Sequence, residues 1–346
     1  MTVLIQNYRT SIRRLNQRTT DGLNLSTSSL LVIEVEKGRQ NLALEEIRSL
    51  AGVDNVRDIV SYGDGICLIH DFLNKDKLSF TKRIGKVIAI FDNFSDIRNV
   101  NLPAGKFYVR IKDINNCHGT DTEPILGEML EGKGRISFRE PDFVILAYHL
   151  DRWYITEQVF SRDSSESNRR RAPLRPFFSP ISMDPHFASF LINIGYFKNG
   201  ARILDPFCGG GGILIEAYIK GFHITGIDIM NEMVVGARTN LKYYGARDFE
   251  IIRGDFLKMP VDSIFDGIVT DFPYGRNSHI SENSQNLYSG ASEKMSELLN
   301  SGSRACVVTD DKNNLKEFEK NFVIDAVFPV RVHKSLTRFY TRLIRR

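Results

Sequence analysis

The sequence has few cysteines and no pattern that would use them for a metal or a disulfide. They lie far apart and form no C-x-x-C pair, so we expect neither a zinc site nor a disulfide framework: the four are Cys67, Cys117, Cys208 and Cys306. The sequence also lacks a signal peptide, an internal repeat and an apolar run long enough to cross a bilayer. These absences predict a cytoplasmic protein without a membrane segment or a bound metal.

Excess charge of one sign is also lacking. The net charge is only +4, yet the pI is near 8.8 and arginines occur in clusters. This balance permits a nucleic-acid partner without requiring one. The 346 residues, of which 42% are hydrophobic, suffice for two or three domains with a sizeable core.

A glycine-rich stretch, ARILDPFCGGGGILIEA at residues 201–217, predicts a ligand site. It reads as a buried strand, then Asp205 and four glycines, then apolar residues at helical spacing. The dinucleotide fingerprint G-x-G-x-x-G is absent because Leu214 stands three positions after Gly211, and no Lys-Ser/Thr of a P-loop follows. A strand, glycine turn and helix place this loop at the carboxyl edge of a parallel sheet, where doubly wound folds bind ligands.

Two acids indicate which ligand suits this loop. Asp205 directly before the glycines suits a cationic ligand better than a pyrophosphate. Asp228 ends the next apolar segment, HITGIDI, where it is placed to accept hydrogen bonds from a ribose diol. Taken alone, such a turn is equally typical of tight packing between a strand and a helix.

A second motif follows a later strand. The segment FDGIVTDFPYG, residues 265–275, predicts a strand that ends in Asp271-Phe272-Pro273-Tyr274. Together with the DPFCGGG loop, it resembles the S-adenosylmethionine-dependent amino-methyltransferases, whose signature at the fourth strand is Asp/Asn-Pro-Pro-Tyr/Phe. The alternative interpretation is a turn after a core strand.

The resemblance implies a role for each residue of the tetrapeptide. The lone pair of an exocyclic base amine is delocalised, so two acceptors must draw the amine toward tetrahedral geometry; here these are the Asp271 carboxylate and the Phe272 carbonyl. Tyr274 would stack on the extruded base. Phe272 departs from the usual proline, but the carbonyl remains and Pro273 keeps residue 272 extended, so we expect activity to survive.

The same resemblance implies S-adenosyl-L-methionine as the cofactor. In this enzyme class the position of Asp255 contacts the adenine amine, while its apolar neighbour Phe256 packs on the ring; a helix N-cap is the alternative for Asp255. The candidate cofactor-binding residues are Asp205, Phe207, Gly209, Gly211, Asp228, Asp255 and Phe256.

Two further segments show which group of these methyltransferases the sequence resembles. RPFFSPISMDPHFASFLINIG at 175–195, with a predicted helix capped by Asp184, and RVHKSLTRFY at 331–340 resemble the archaeal tRNA (guanine-N2) methyltransferases. This implies transfer of one or two methyl groups to N2 of a guanosine in tRNA, at position 10 in that family. The alternatives are a methyltransferase for another base amine, such as adenine-N6 or guanine-N2 elsewhere in tRNA or rRNA, and a catalytically silent tRNA-binding partner, which only Phe272 favours.

The sequence of residues 29–160 predicts a small α+β region. Its segments read as β-α-β-β, then as a domain whose strands KFYVRIK and FREPDFVILAYHLDRWYI resemble the RNA-binding THUMP domain. The fold class is thus α/β: a Rossmann-like methyltransferase domain preceded by ferredoxin-like and THUMP regions. The predicted boundaries are 1–28 for a basic flexible tail, 29–76 for the ferredoxin-like module, 77–160 for the THUMP-like domain, 161–176 for a linker and 177–346 for the methyltransferase domain.

Basic residues are the candidates for contact with tRNA phosphates. Each is equally compatible with a solvated surface that has no function, and the candidates are Arg110, Lys112, Arg170, Arg171, Arg175, His333, Lys334 and Arg338. tRNA is therefore the expected partner, and the sequence also leaves room for a small protein partner.

Overall fold

The structure, a computed structural model of the chain, describes residues 30–52, 59–62, 65–113, 122–180, 182–273, 284–333 and 336–346. They fall into two compact units. The first contains the described residues among 1–33, 59–71 and 83–160, and the second contains those among 34–58, 72–82 and 161–346. Within the described ranges, no helix is both long enough and apolar enough to cross a membrane.

An eight-stranded sheet makes up most of the first unit. Its strands are β1 (Leu30–Val35), β2 (Ile59–Tyr62), β3 (Ile66–His70), β4 (Thr81–Phe91), β5 (Lys106–Asp113), β6 (Arg135–Ile136), β7 (Phe143–His149) and β8 (Trp153–Ser161). They are ordered β2-β3-β1-β4-β8-β7-β5-β6 across the sheet. Alternate side chains point to one face, where Phe107, Ile145 and Trp153 are buried in one apolar cluster.

Seven helices are present in the described residues. They are α1 (Gln40–Ala51), α2 (Thr122–Leu130), α3 (Ser164–Asn168), α4 (Pro185–Asn193), α5 (Gly212–Ile219), α6 (Asn231–Tyr243) and α7 (Ser284–Glu297). Short 3-10 turns lie at 75–77, 94–99, 131–133, 172–174 and 312–318. The predicted cap of α4 is confirmed, because the Asp184 carboxylate accepts a hydrogen bond from the backbone N–H of His186 at 3.0 Å.

A seven-stranded sheet forms the centre of the second unit. Its strands are β9 (Arg202–Asp205), β10 (His223–Asp228), β11 (Phe249–Arg253), β12 (Phe265–Asp271), β13 (Leu299–Thr309), β14 (Phe322–His333) and β15 (Leu336–Arg345). The order is β11-β10-β9-β12-β13-β15-β14. Strands β11, β10, β9, β12 and β13 are parallel to one another, while β15 runs antiparallel to both β13 and β14. Strands that alternate with helices along the sequence, followed by a terminal hairpin, predict such a parallel sheet with an antiparallel edge, and the structure confirms it.

The core of this sheet follows from its sequence. Central strands of a parallel sheet are covered on both faces and therefore read as continuous apolar runs, and Ile203, Leu204 and Ile268 are fully buried. Beyond β9 the chain turns through the glycines into α5, and β10 and β12 lie on either side of β9. The crevice at a point where the strand order reverses is where such sheets bind ligands, and here it is at the carboxyl end of β9.

Candidate active site

Four acids that the sequence singles out meet at one edge of the second sheet. Asp205, Asp228 and Asp271 end strands β9, β10 and β12, and Asp255 follows β11 by two residues. All four line a single cavity of about 570 Å³. The carboxyl ends of neighbouring parallel strands share an edge, which is why residues distant in sequence come together here.

The glycine loop forms one wall of this cavity. Gly209 and Gly211 have φ angles of 49° and 79°, which residues with a Cβ rarely adopt. Gly209 donates its backbone N–H to Oδ2 of Asp228 at 2.9 Å. A second contact stabilises the loop: the buried side-chain amide of Asn240 donates a hydrogen bond to the carbonyl oxygen of Gly210 at 2.9 Å. Sequence reasoning missed Asn240, whose only signal is an amide on the apolar face of a helix.

Asp205 is almost fully buried at the centre of the site. Its Oδ1 accepts a hydrogen bond from the Thr270 hydroxyl at 2.7 Å and a longer one from the Phe207 backbone N–H at 3.2 Å. Burial, reinforced by the nearby carboxylates of Asp271 and Asp228, raises the pKa of Asp205 to about 7. A buried acid in this state favours a cationic ligand, since a positive charge would stabilise its carboxylate. Thr270 is a second residue that sequence reasoning missed.

Asp228 and Asp255 are held by local backbone contacts. The Asp228 carboxylate accepts the N–H groups of Gly209 and Met230, and burial raises its pKa. Asp255 accepts the N–H of Leu257 at 3.0 Å and pairs with Lys258 at 3.2 Å. It therefore stabilises the turn after β11 and also lines the cavity, but it does not cap a helix, because residues 256–258 form a turn.

Aromatic side chains form an apolar wall beside the acids. The rings of Phe207 and Phe256 meet edge to face at 5.7 Å. Phe272 is fully buried, with its ring 5.1 Å from Phe207 and 4.8 Å from Tyr288. The larger side chain that replaces the usual proline therefore fills the core beneath the cavity, while the backbone N–H of Phe272 remains anchored to the Val308 carbonyl oxygen at 3.1 Å.

Asp271 has two carboxylate oxygens in different surroundings. Oδ2 forms an ion pair with Nη1 of Arg338 at 3.2 Å, whereas Oδ1 is buried and has no hydrogen-bond partner among the described residues. Burial raises the pKa of Asp271 to about 7, with the Arg338 charge acting to lower it and the Asp310 charge to raise it. Pro273 lines the cavity as well, while Tyr274 lies outside the described residues.

The basic residues of the second unit are more buried than expected. Arg338 is buried beside Asp271, which corrects the expectation that it lies at the surface, open to tRNA phosphates or solvent. Arg170 forms a bidentate ion pair with the buried Glu216, with N–O distances of 2.8 and 3.1 Å. Arg175 is also buried, which lowers its pKa, and its Nε donates to the Arg170 carbonyl oxygen. These three guanidinium groups therefore lie in the protein interior instead of forming an exposed phosphate-binding surface.

Other predicted basic residues are at the surface. Arg171 is exposed and pairs with Asp184 at 3.3 Å, and His333 is exposed at the end of β14. In the first unit, Arg110 is exposed and Lys112 is half-buried, both on β5. Lys334 lies outside the described residues. Among the described residues, no cluster of three or more potential ligands is arranged to bind a metal ion.

The sequence as a whole is similar to known methyltransferases. The family model UPF0020, described as "RMKL-like, methyltransferase domain", matches residues 172–339. The chain is 40% identical over 278 residues to the tRNA (guanine(10)-N2)-dimethyltransferase of Methanothermobacter thermautotrophicus, covering 76% of this chain and 82% of that protein. It is 30% identical over 316 residues to the Pyrococcus abyssi protein of the same name, covering 86% and 94%.

The fold also has solved counterparts. The crystal structure of TrmN from Thermus thermophilus superposes with a TM-score of 0.55 at 19% identity, covering 92% of this chain and 99% of that one. At this identity the likeness concerns the fold alone. It confirms the predicted α/β architecture with a Rossmann-like methyltransferase domain.

Proposed function

The chain belongs to the family of the tRNA (guanine(10)-N2)-dimethyltransferases, and on that premise we propose that it methylates the exocyclic N2 of a guanosine in tRNA. The methyl donor is S-adenosyl-L-methionine, the nucleotide is position 10, and one or two methyl groups are transferred. A tRNA substrate also agrees with the cytoplasmic location expected from the sequence.

One observation carries this proposal. Oδ1 of Asp271 is a buried acceptor with no partner among the described residues, and Asp271 lines the same cavity as Asp205, Asp228 and Asp255. Leaving a buried acceptor unsatisfied costs about 1–3 kcal/mol, so its retention points to a ligand that donates to it. An exocyclic amine is such a donor, and the DFPY motif is typical of enzymes that act on one.

The residues around the cavity fit the cofactor. The buried Asp205 suits a positively charged group, the Asp228 carboxylate suits a ribose diol, and Asp255 with Phe256 would hold the adenine. Phe207 and the glycine loop, including Gly209 and Gly211, would enclose the donor. When bound, S-adenosylmethionine supplies an electrophilic methyl group on a sulfonium centre.

The protein's own contribution to the reaction is placement and electrostatics. Asp271 and the Phe272 carbonyl accept hydrogen bonds from the two amine hydrogens, which localises the nitrogen lone pair for in-line attack. Pro273 keeps the preceding residue, Phe272, extended, and Tyr274 would stack on the base. The apolar wall of Phe207, Phe256 and Phe272 excludes water, which strengthens each of these interactions.

A surface of the first unit is suited to RNA. The Arg110 guanidinium lies over the Tyr108 ring at 5.4 Å, and Phe138, which is 70% exposed, lies 6.0 Å from the same ring. Exposed aromatic rings beside arginine can stack on unpaired bases. We include this aromatic surface, Tyr108, Arg110 and Phe138, in the tRNA contact, together with Lys112, Arg171, His333 and Lys334.

Nucleoside analysis tests the activity directly. Unmodified tRNA transcripts carrying guanosine or adenosine at position 10 are incubated with labelled S-adenosylmethionine and then digested to nucleosides. We expect label on N2-methylguanosine or N2,N2-dimethylguanosine from the first transcript and none from the second. Label on adenosine or cytidine would replace the proposed base, label on guanosine from both transcripts would replace the proposed position, and tRNA binding without label would identify a silent partner.

An Asp271→Asn variant tests whether the Asp271 carboxylate acts on the amine. It keeps the size of the side chain but removes the negative acceptor, so we expect the transfer rate to fall by roughly a hundredfold or more. Cofactor binding, measured by calorimetry, should persist because Asp205, Asp228 and Asp255 are intact. Loss of cofactor binding together with transfer would mean that Asp271 serves the cofactor and not the amine.

A further inference from the structure

The partner of Asp271 was not evident from the sequence. Nη1 of Arg338 lies 3.2 Å from Oδ2 of Asp271, and the two side chains are only 11% and 15% exposed. An ion pair that is largely removed from water must be well oriented to offset the desolvation of both charges. This pair is therefore a specific feature of the site and not a surface contact.

The register of the sheet explains how the two residues meet. Asp271 on β12 pairs with Val308 on β13, and Val308 pairs with Tyr340 on β15. Arg338 lies two residues before Tyr340, on the same face of β15, and one position beyond Phe339, whose pair with Thr309 is the last between β13 and β15. Its long side chain can therefore reach past the end of β13 to the end of β12.

We propose that Arg338 is a positioning residue of the reaction, which holds Oδ2 of Asp271 so that Oδ1 is presented to the amine that is methylated. This inference rests on the proposed function, because it assigns the partner of the same acceptor. Binding one oxygen fixes the rotation of the carboxylate. The remaining oxygen is then buried and free of any partner among the described residues.

The charge of Arg338 matters as much as its geometry. Burial raises the pKa of Asp271 to about 7, and among the nearby groups Arg338 acts against this effect while Asp310 adds to it. Asp205 on β9 faces the same cavity, and the buried tyrosines Tyr340 on β15 and Tyr288 on α7 lie close by. A charged carboxylate is a stronger hydrogen-bond acceptor than a neutral carboxyl group. Because the charge of Arg338 favours the ionised form of Asp271, it keeps Oδ1 a strong acceptor near neutral pH.

Arg342 provides a matched control on the same face of β15. It is 10% exposed and forms ion pairs with Asp325 and, at 2.7 Å, with Glu45. It therefore resembles Arg338 in strand, burial and pairing, but its partners lie outside the cavity. Losing Arg342 should lower stability without affecting the acid at residue 271.

The kinetic test compares Arg338→Met, Arg338→Lys and Arg342→Met between pH 5.5 and 9.5. Arg338→Met should lower kcat at pH 7 by roughly a hundredfold, leave KM for tRNA largely unchanged, and move the acidic midpoint of the kcat profile upward by about 1–3 units. Arg338→Lys should keep the midpoint near its original value with a smaller loss of kcat. Arg342→Met should leave the midpoint unmoved, and an equal shift in this control would overturn the proposal.

A titration without substrate separates this inference from the proposed function. In protein labelled with carbon-13 at the aspartate carboxyl groups, the Asp271 resonance is assigned by its loss in Asp271→Asn and followed against pH. Arg338→Met should raise its midpoint, and Asp310→Asn, which retains Arg338, should lower it. An unchanged midpoint in Arg338→Met overturns the role of Arg338, whatever base the enzyme modifies; shifted midpoints without guanosine methylation overturn only the proposed function.

Discussion

At the scale of single residues, the site depends on two buried acids that ionise close to neutral pH. Burial raises the pKa of both Asp205 and Asp271 to about 7, and the charges of Asp271 and Asp228 add to this effect at Asp205. Residues that serve function are commonly held in states that cost folding energy. Asp205, with its Thr270 contact, is the clearer case because the described part of the chain provides it with no basic partner comparable to Arg338.

The first prediction concerns the stability of Asp205→Asn. The folded pKa of about 7 exceeds the unfolded value of about 3.9, so the contribution of Asp205 to stability is full below pH 4 and is lost as the pH rises to 7. Asparagine cannot ionise and still accepts from Thr270. Its Tm should therefore match the parent near pH 4 and exceed it by a few degrees at pH 8, as measured by calorimetry.

The control is Asp248→Asn, whose side chain is 95% exposed. Exposed substitutions usually change stability by less than about 0.5 kcal/mol, so its Tm should follow the parent at every pH. Asp205→Asn should also weaken binding of S-adenosylmethionine. A Tm difference that is constant between pH 4 and 8 would contradict the assigned titration.

The sequence located these acids but not their partners. Asp205, Asp228 and Asp271 were predicted because each follows an apolar strand, and strand ends can be read from local pattern. Arg338 could not be paired with Asp271, because the contact depends on which strand lies beside which. A local sequence pattern carries no information about that order for the last hairpin.

At the scale of elements, the turn from β9 into α5 sets the shape of the cavity wall. Gly211 caps α5 in the left-handed conformation, and a Cβ there would lie 3.3 Å from that of Ala237 on α6. The turn therefore combines a strained backbone with close helix packing. Gly221, just after α5, has a similar φ of 86° but open space around it.

The second prediction separates strain from packing at these two glycines. Gly211→Ala and Gly221→Ala should each destabilise the protein by about 1–2 kcal/mol, the cost of a left-handed L-residue. Only Gly211→Ala should also weaken cofactor binding, since relief of its contact with Ala237 shifts the loop that carries Gly209. Urea unfolding and calorimetry measure the two effects, and equal loss of affinity in both variants would contradict the special role of the loop.

For most segments of the second unit, the sequence pattern correctly predicts whether the segment is a helix or a strand. The sequence pattern predicts strands at 224–229 and 250–253 and a helix at 233–244, each within two residues of the observed bounds, because apolar periodicity and glycine turns are local signals. It also predicts a terminal hairpin of residues 324–332 and 337–344, which the structure contains. The position of this hairpin in the sheet, with β15 beside β13, could not be predicted, because the strand that a hairpin pairs with depends on the packing of the whole sheet.

At the scale of the whole molecule, the chain passes between the two units more than once. The described residues among 34–58 and 72–82 belong to the second unit, although described residues on both sides of each segment belong to the first. A deletion of the front half would therefore remove α1 from the second unit as well. Point substitutions in the full chain are the appropriate way to test what each unit contributes.

The third prediction concerns the aromatic surface of the first unit. Phe138→Ala removes an exposed ring beside Tyr108, and stacking on a base is worth about 1–3 kcal/mol, so KM for tRNA should rise by roughly 5- to 100-fold while kcat stays nearly constant. Ile125→Ala, an exposed apolar residue of the same unit, should leave both unchanged. A fall in kcat instead of a rise in KM would show that this surface acts on the reaction step.

Charge on the same surface is tested separately by salt dependence. Arg110→Gln should reduce the slope of log affinity against log salt by about one, as expected for a lost phosphate contact. Arg152→Gln is its matched control, because Arg152 is an exposed arginine of the same unit that already pairs with Asp92 at 2.6 Å. Arg110 pairs with Glu123 at 3.2 Å. The Arg110→Gln substitution therefore changes the salt dependence of tRNA affinity only if RNA competes with Glu123 for the guanidinium group. Identical slopes for the two variants would remove Arg110 from the tRNA contact and leave Phe138 to account for binding by stacking alone.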